Sequence, residues 1–311
     1  MKTQEHIKNL DNAIIKLLEE YQKNPDKSKS LIPWLNVNIA TPRNAISGES
    51  YNGVNILSVI FNCYNQNLNS NYAYCLISFI QANELGLTIK KGSKAIPIFN
   101  YGTYIKKNEE KKEEERKKYF RHYNMFSLEQ IENIENHLDL FPNLNFNYDK
   151  LKENFIKNSL IESFVFNSQI NIEYKLSNKA CYIPSKDIII MPESKQFETV
   201  ESYYNVLFHE MIHATGSKKR LNRELSQQLQ KYAFEELIAE IGAIILCMEF
   251  NVTNSINKDS IKYIDSWIKA LKDNKNSITI SKAFRFSSKA SNYLLELNKE
   301  KINVKELESV W

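Results

Sequence analysis

Apolar positions give the first outline of the chain. In residues 1–24, Ile7, Leu10, Ile14, Ile15, Leu17 and Leu18 recur at near-helical spacing and predict an amphipathic helix. The pattern breaks at KNPDKSKS. Residues 31–59 then carry Pro33, Pro42, Gly48 and Gly53 with Trp34 and Tyr51 between them, the densest turn chemistry in the chain. Residues 54–64 and 72–85 read as helices, the second closed by Gly86. Residues 87–106 read as a hairpin, with an alternating run, a KKGSK turn and a second strand. The block KKNEEKKEEERKK, residues 106–118, reads as a solvated insert, after which a strand resumes at YFRHYNMF. A short segment, LEQIENI, follows it, and residues 137–149, with Pro142 and several Asn, read as a connection between domains.

Beyond Lys150 the pattern changes. LKENFIKNSLIESF is helical, and residues 170–192 read as strand, strand, turn, strand. In 234–250, Phe234, Leu237, Ile238, Ile241, Ile244, Ile245 and Met248 form one helical stripe. Two more helices are expected near 258–273 and 281–299, with Trp267 and Leu271 on a shared face. The chain thus predicts an α+β protein of two domains, residues 1–148 and 149–311, the second combining helices with a small antiparallel sheet.

Composition changes this picture little. Hydrophobic residues make up 42% and charged residues 25%, ordinary values for a soluble globular chain. A net charge of +4 is too mild to imply nucleic acid by itself. Cys63, Cys75, Cys181 and Cys247 show no paired spacing; Cys63 and Cys247 lie in apolar runs and read as buried thiols. The first residues are polar and no apolar run is long enough to span a bilayer. The expectation is a cytoplasmic protein with reduced thiols and no membrane partner.

The candidate chemistry sits in FHEMIHATG, residues 208–216. His209 and His213 are four apart, so on a helix they share a face and two imidazoles can reach one ion, expected to be Zn2+ with another divalent metal as the alternative. Glu210, beside the first of them, is placed to act as general base toward water. Gly216 and Lys218-Lys219-Arg220 read as the end of that helix. On the following helix Glu236 and Glu240 lie one turn apart, and two carboxylates at that spacing repel unless a cation lies near. Glu236 is assigned as third ligand and Glu240 as acceptor for the outer nitrogen of a ligating histidine, and the two roles can be exchanged. Glu235 is the poorer ligand candidate, its face continuing into Ala239 and Gly242. The run DIIIMP, 187–192, is a candidate edge strand on which an extended peptide could pair.

Residues 1–107 hold 12 Lys and Arg against 7 Asp and Glu, a local excess of +5, interleaved with aromatics. A cationic groove with stacking aromatics suits single-stranded nucleic acid. Arg43, Lys90, Lys91 and Lys94 are the candidate phosphate contacts, with Trp34 and Tyr51 as stacking or loop-ordering residues; core packing is the rival role for Trp34.

The chain also resembles the ArdC-type antirestriction proteins over nearly its full length. The N-terminal motifs are PW at 33–34, PRN at 42–44, SGESYNGVN at 47–55, QANELG at 81–86, KKGSK at 90–94 and FRHYNMF at 120–126. The C-terminal ones are YIPSKDIIIMP at 182–192, HEMIHATG at 209–216, RLNR at 220–223, YAFEELIAEIG at 232–242 and YIDSW at 263–267. Against that pattern, Cys75-Leu76 replace an aromatic, Ala214 follows the second histidine, and block 106–118 is inserted. The resemblance implies a domain that binds single-stranded DNA, a zincin-like metallopeptidase domain, and a mobile-element protein that shields incoming DNA from host restriction. The alternative is a metallopeptidase that cleaves a specific host protein and uses DNA binding only for targeting.

Overall fold

The computed structural model describes residues 2–23, 41–70, 72–108, 113–144, 158–177, 179–197, 199–223, 229–252, 268, 271–272 and 279–308. Trp34, Trp267, residues 150–157 and most of the segment expected to be helical near 258–273 lie outside them. The chain forms two compact units. One comprises Met1–Ala13 with Thr41–Phe146, the other Ile14–Ala40 with Asn147–Trp311.

The first helix, α1 (Lys2–Lys23), buries Leu10, Ile14 and Leu18, three positions of its apolar stripe. The first unit is built on β1 (Arg43–Asn44), β2 (Cys75–Ser78), β3 (Ile96–Asn108) and β4 (Glu113–Ser127). They form one sheet in the order β1-β2-β4-β3, parallel between β1 and β2 and antiparallel elsewhere. Cys75 and Ile77 enter a cluster with Leu87, Leu128, Ile131 and Phe141. Leu76, between them, joins Val59, Cys63, Ile96, Ile98 and Met125 in a second cluster. A strand buried on both faces loses the two-residue alternation of a half-buried one. That is why 72–85, read as one helix, is in fact β2 followed by the short helix α3 (Phe79–Glu84), which starts at a Ser78–Gln81 capping box.

The expected hairpin across KKGSK is not formed. Ile89 bridges Ile131 and the Lys90 N–H donates to the Gln130 carbonyl, so the segment before the turn pairs with residues after β4. β3 and β4 pair antiparallel instead, and the described part of the charge block lies within them. The register sets Lys106 against Glu115 and Lys107 against Glu114, so these residues continue the strands instead of interrupting them. The outer edge of β3 is closed by α2 (Val54–Asn65). Asn55 bonds the Phe99 carbonyl (2.9 Å) and N–H (2.7 Å) through its side-chain amide, and the Ser58 hydroxyl donates to the Pro97 carbonyl (2.6 Å). Side chains thus satisfy an edge that would otherwise expose main-chain groups, and Pro97 removes one donor that needs no partner.

In the second unit, α4 (Ser159–Asn167) is capped by Asn158, whose side chain accepts from the Leu160 and Ile161 N–H groups. The sheet of β5 (Asn171–Lys175), β6 (Cys181–Ile183) and β7 (Ile188–Pro192) has the order β5-β7-β6. It is mixed, not antiparallel, because β5 and β7 run parallel. It also puts β7 in the centre. The expected edge strand 187–192 is therefore paired on both sides, and among the described residues the outer antiparallel edge belongs to β6. The described residues of the unit also form α5 (Val200–Thr215), α6 (Leu229–Glu249) and α7 (Ile280–Glu308). The α6 stripe from Leu237 to Met248 is buried. Helix α7 meets α6 through small residues: the Ser287 hydroxyl lies 2.9 Å from the Ile238 carbonyl and that of Ser291 lies 3.1 Å from the Gly242 carbonyl. Among the described residues no helix is long and apolar enough to cross a membrane.

Candidate metal centre

Helix α5 presents the two histidines because its start and end are both held. Thr199 and Ser202 make a capping box at the N-terminus. Phe208 is fully buried on the inner face, edge-on to Phe164 and stacked with Phe250. At the C-terminus Gly216 is right-handed (φ −72°), so no left-handed glycine cap is used. Arginines close the helix instead: Arg220 Nη1 donates to the Ala214 carbonyl (3.0 Å) and Arg223 Nη2 to the Ile212 carbonyl (2.7 Å).

Helix α6 then packs on α5 at close range. A Cβ on Gly242 would lie 2.8 Å from Ile212 Cδ1 and Cγ1, so only glycine permits this approach. The crossing brings Glu236 to the histidines. His209 Nε2 and His213 Nε2 are 3.1 Å apart, and the Glu236 carboxylate lies 3.6 Å from the first and 3.4 Å from the second. One donor atom from each of His209, His213 and Glu236 falls within 4.8 Å of the others. The outer nitrogens face carboxylates too: His209 Nδ1 is 3.4 Å from Glu240 Oε1, and His213 Nδ1 is 3.3 Å from Glu235 Oε1.

This donor set fits a divalent cation. With a carboxylate at each Nδ1, the proton of a neutral imidazole belongs on Nδ1. Both Nε2 lone pairs then converge with a carboxylate, an arrangement that repels itself without positive charge between the three. The proton equilibria express the same demand. Burial alone would depress both imidazoles, but Glu236 and Glu240 hold His209 well above the ordinary value, and Glu235 and Glu236 raise His213 to about 9. Against its own burial, Glu236 is pulled below the usual carboxylate range by His209 and His213. Against burial again, Glu235 is lowered by His213 and Arg223.

Glu210 is buried on α5, and its Oε2 accepts from the main-chain N–H of Tyr182 at 2.7 Å. Tyr182 lies on β6, so the edge strand sits directly beside the candidate base. The turn after β6 is anchored by Asp187, held in the left-handed region (φ 52°). Its Oδ1 accepts from Tyr182 Oη (2.8 Å) and Arg220 Nη1 (2.6 Å). Arg220 is the main cause that draws the Asp187 carboxyl down to about 2. Burial, reinforced by Asp187, pushes the Tyr182 phenol up to about 12.

The residue pattern assigns no role to Arg223, Asp187 or Tyr182 and makes Glu235 the poorer ligand; Arg220, expected as a cation at the end of α5, is found there on the Ala214 carbonyl. All five lie inside the quoted motifs YIPSKDIIIMP, RLNR and YAFEELIAEIG, and that was the available signal. Arg223 also donates to Glu235 Oε1 at 2.7 Å, so Glu235 is a neutralised partner for His213 and not merely a packing position.

The candidate DNA residues are less concentrated. Lys90, Lys91 and Lys94 are exposed around Gly92 (φ 86°), with Lys90 Nζ donating to the Glu129 carbonyl. Arg43 is half-buried and its Nη1 donates to the Gly48 carbonyl (3.2 Å). Tyr51 packs against the Val59–Leu76 cluster, and burial pushes its phenol up to about 12. Both order the 41–53 loop, where Gly48 (φ 72°) passes so close to Asn143 that an added Cβ would lie 2.8 Å from its carbonyl oxygen. Trp34 lies outside the described residues.

Comparisons with known proteins divide the chain in the same sense. Residues 4–126 match the N-terminal domain of anti-restriction factor ArdC, and residues 159–283 match the zincin-like metallopeptidase family. The protein y4eC of Sinorhizobium fredii is 28% identical over 251 residues, 77% of this chain and 76% of its own length. DNA primase TraC of Escherichia coli is 33% identical over 137 residues, 43% of this chain but 9% of the primase, so the likeness reaches only a small part of that relative. The metal-free crystal structure of the antirestriction ArdC protein from plasmid R388 superposes with a TM-score of 0.74 at 28% identity, covering 94% of this chain and 97% of the other. The Mn(II)-bound structure of the same protein gives a TM-score of 0.71. With both domain families matched in order and a solved ArdC structure aligned over nearly the whole chain, the protein belongs to the ArdC type, an ArdC N-terminal domain followed by a zincin-like metallopeptidase domain.

Proposed function

We propose that this is a cytoplasmic antirestriction protein of a mobile element, which binds single-stranded DNA through its first domain and carries a zinc peptidase-type centre in the second. The observation that carries the enzymatic half is the convergence of His209, His213 and Glu236 beside a buried Glu210. Two imidazoles and one carboxylate leave a coordination position open, as hydrolytic sites do and closed structural sites do not. A zinc ion held there would supply a Lewis acid for a peptide carbonyl and make water acidic near neutral pH.

The remaining work falls to the chain. Glu210 takes the proton of the attacking water and returns it to the leaving amine. Glu240 and Glu235 hold the two imidazoles in one tautomer and one orientation. An extended host-protein segment would run along the outer edge of β6, beside Glu210. In the first domain the exposed Lys90, Lys91 and Lys94 are phosphate contacts, and Arg43 and Tyr51 shape the adjoining loop. The two domains are assigned to residues 1–148 and 149–311.

The test uses the whole protein. His213→Ala should lose stoichiometric zinc by elemental analysis, whereas Glu210→Gln should keep it and lose proteolysis of any cleaved host protein. A Glu210→Gln protein that cuts at the wild-type rate sinks the assignment of the base. Paired binding to single-stranded and duplex DNA tests the other half, and preference for duplex would reject it.

A further inference from the structure

The β3–β4 ribbon outruns its sheet. β2 pairs only with Met125–Ser127 of β4, so from Asn124 outward β3 and β4 pair, among the described residues, only with each other. Beyond the buried Ile98 and Phe99, a two-stranded ribbon gains little from its own burial, yet this one is rich in large side chains. Tyr101 is 77% exposed, Tyr104 47% and Tyr123 49%. The register puts Tyr104, Tyr119, Arg121 and Tyr123 on one face, continuous with the Ile96, Ile98 and Met125 positions of the core.

That face is shaped. Gly102 lies opposite Tyr119, and a Cβ there would come within 2.8 Å of Cε1, Cζ and Oη of the ring. The absent side chain lets Tyr119 lie across the β3 backbone as a flat floor. The guanidinium of Arg121 sits 5.7 Å from the centre of the same ring, bringing a planar cation into the aromatic row. Charge is one-sided as well. Ile96–Tyr104 and Lys118–Ser127 contain no acidic residue; the exposed Arg121 is the cation on this face, while Lys118 and His122, opposite Thr103 and Phe99, lie on the other.

We propose that this face of the ribbon, Tyr104, Tyr119 and Tyr123 with Arg121 between them, is a stacking surface for single-stranded DNA. It rests on the reading of the first domain as a single-strand binder and names a part of that surface which lies outside the lysine turn. Open aromatic faces select unpaired bases, because a duplex keeps its bases stacked on one another, while Arg121 neutralises a phosphate. Stacking accepts any base, so little sequence preference is expected.

The experiment is fluorescence anisotropy of the full chain with a labelled mixed-sequence oligonucleotide, single-stranded and duplex, over a salt series. Tyr104→Ala and Tyr123→Ala should each weaken single-strand binding about 5- to 100-fold while leaving the salt slope unchanged. Tyr104→Phe and Tyr123→Phe, which keep the ring, should restore it. Arg121→Gln should lower the salt slope by about 0.7. Unchanged affinity in a folded Tyr104→Ala/Tyr123→Ala double variant, with wild-type binding intact, overturns the ribbon and leaves the first domain as a binder through other residues. Failure of the wild type to bind single strands overturns the reading beneath it. Self-association lost in the double variant, with DNA binding retained, assigns the face to a second copy of the chain and also overturns the proposal.

Discussion

Arg223 donates through Nη2 to Glu235 Oε1 at 2.7 Å, and the same oxygen lies 3.3 Å from His213 Nδ1. One buried arginine thereby sets the charge of the carboxylate that orients a candidate metal ligand. Its other donors reach the Ile212 carbonyl and the Thr215 hydroxyl, each at 2.7 Å, tying the end of α5 to the start of α6.

Arg223→Ala should therefore act twice. It strands a buried Glu235 and opens the end of α5, a loss of about 3–5 kcal/mol by urea denaturation. Metal affinity should fall about 10- to 100-fold, as for other partners of ligating imidazoles. Arg223→Lys should recover little of either, because an ammonium cannot reproduce the forked contacts. Wild-type stability in Arg223→Ala would show that the network contributes nothing.

Gly242→Ala tests the helix crossing. Alanine adds about 1 kcal/mol of helix propensity, but its methyl group collides with Ile212 in a filled core, at a cost of about 1–3 kcal/mol. The expected result is a net loss of stability together with weaker metal binding, since Glu236 rides on the same helix two turns earlier. Ile212→Val in the same chain should give part of both back.

The metal-free protein should respond to pH in a direction opposite to the loaded one. His213 has its folded pKa raised to about 9. Its proton therefore stabilises the fold fully below about 6.5, the unfolded value, and that contribution is lost as pH rises through 9. A bound cation needs the neutral imidazole, so its affinity grows over the same interval. Thermal melts with and without chelator should diverge steadily between pH 6.5 and 9. A constant gap across that range would refute this account of the centre.

Replacing Lys90, Lys91 and Lys94 by Gln should reduce the single-strand salt slope by up to about 2, from roughly 0.7 per phosphate contact. The substitutions lie in an exposed turn and give up the Lys90 Nζ contact to the Glu129 carbonyl, so the melting temperature should move little. An unchanged slope would remove the turn from the interface.

What the chain made legible was mostly local. The period of α1, the stripe of α6 and the four-residue spacing of His209 and His213 are helix geometry written along one segment. What stayed hidden depended on partners far away in sequence. Strand β2 looked helical because burial on both faces erased its alternation. The KKGSK turn looked like a hairpin because nothing in residues 87–106 reports that Gln130 and Ile131 pair with Lys90 and Ile89. DIIIMP looked like an edge because its parallel neighbour β5 lies before an intervening strand. Glu235 looked like packing because its two partners, His213 and Arg223, come from another helix and a loop.

The group that holds Glu210 is the main-chain N–H of residue 182, not a side chain. Nineteen of the twenty amino acids supply that donor, and only proline lacks it. The aim of the candidate base is thus insulated from mutational drift at the strand beside it. The Tyr182 phenol ties the strand to Asp187 at 2.8 Å, yet the carboxylate's anchor does not depend on that side chain, so losing the tyrosine would loosen the turn and leave the aim of the candidate base in place.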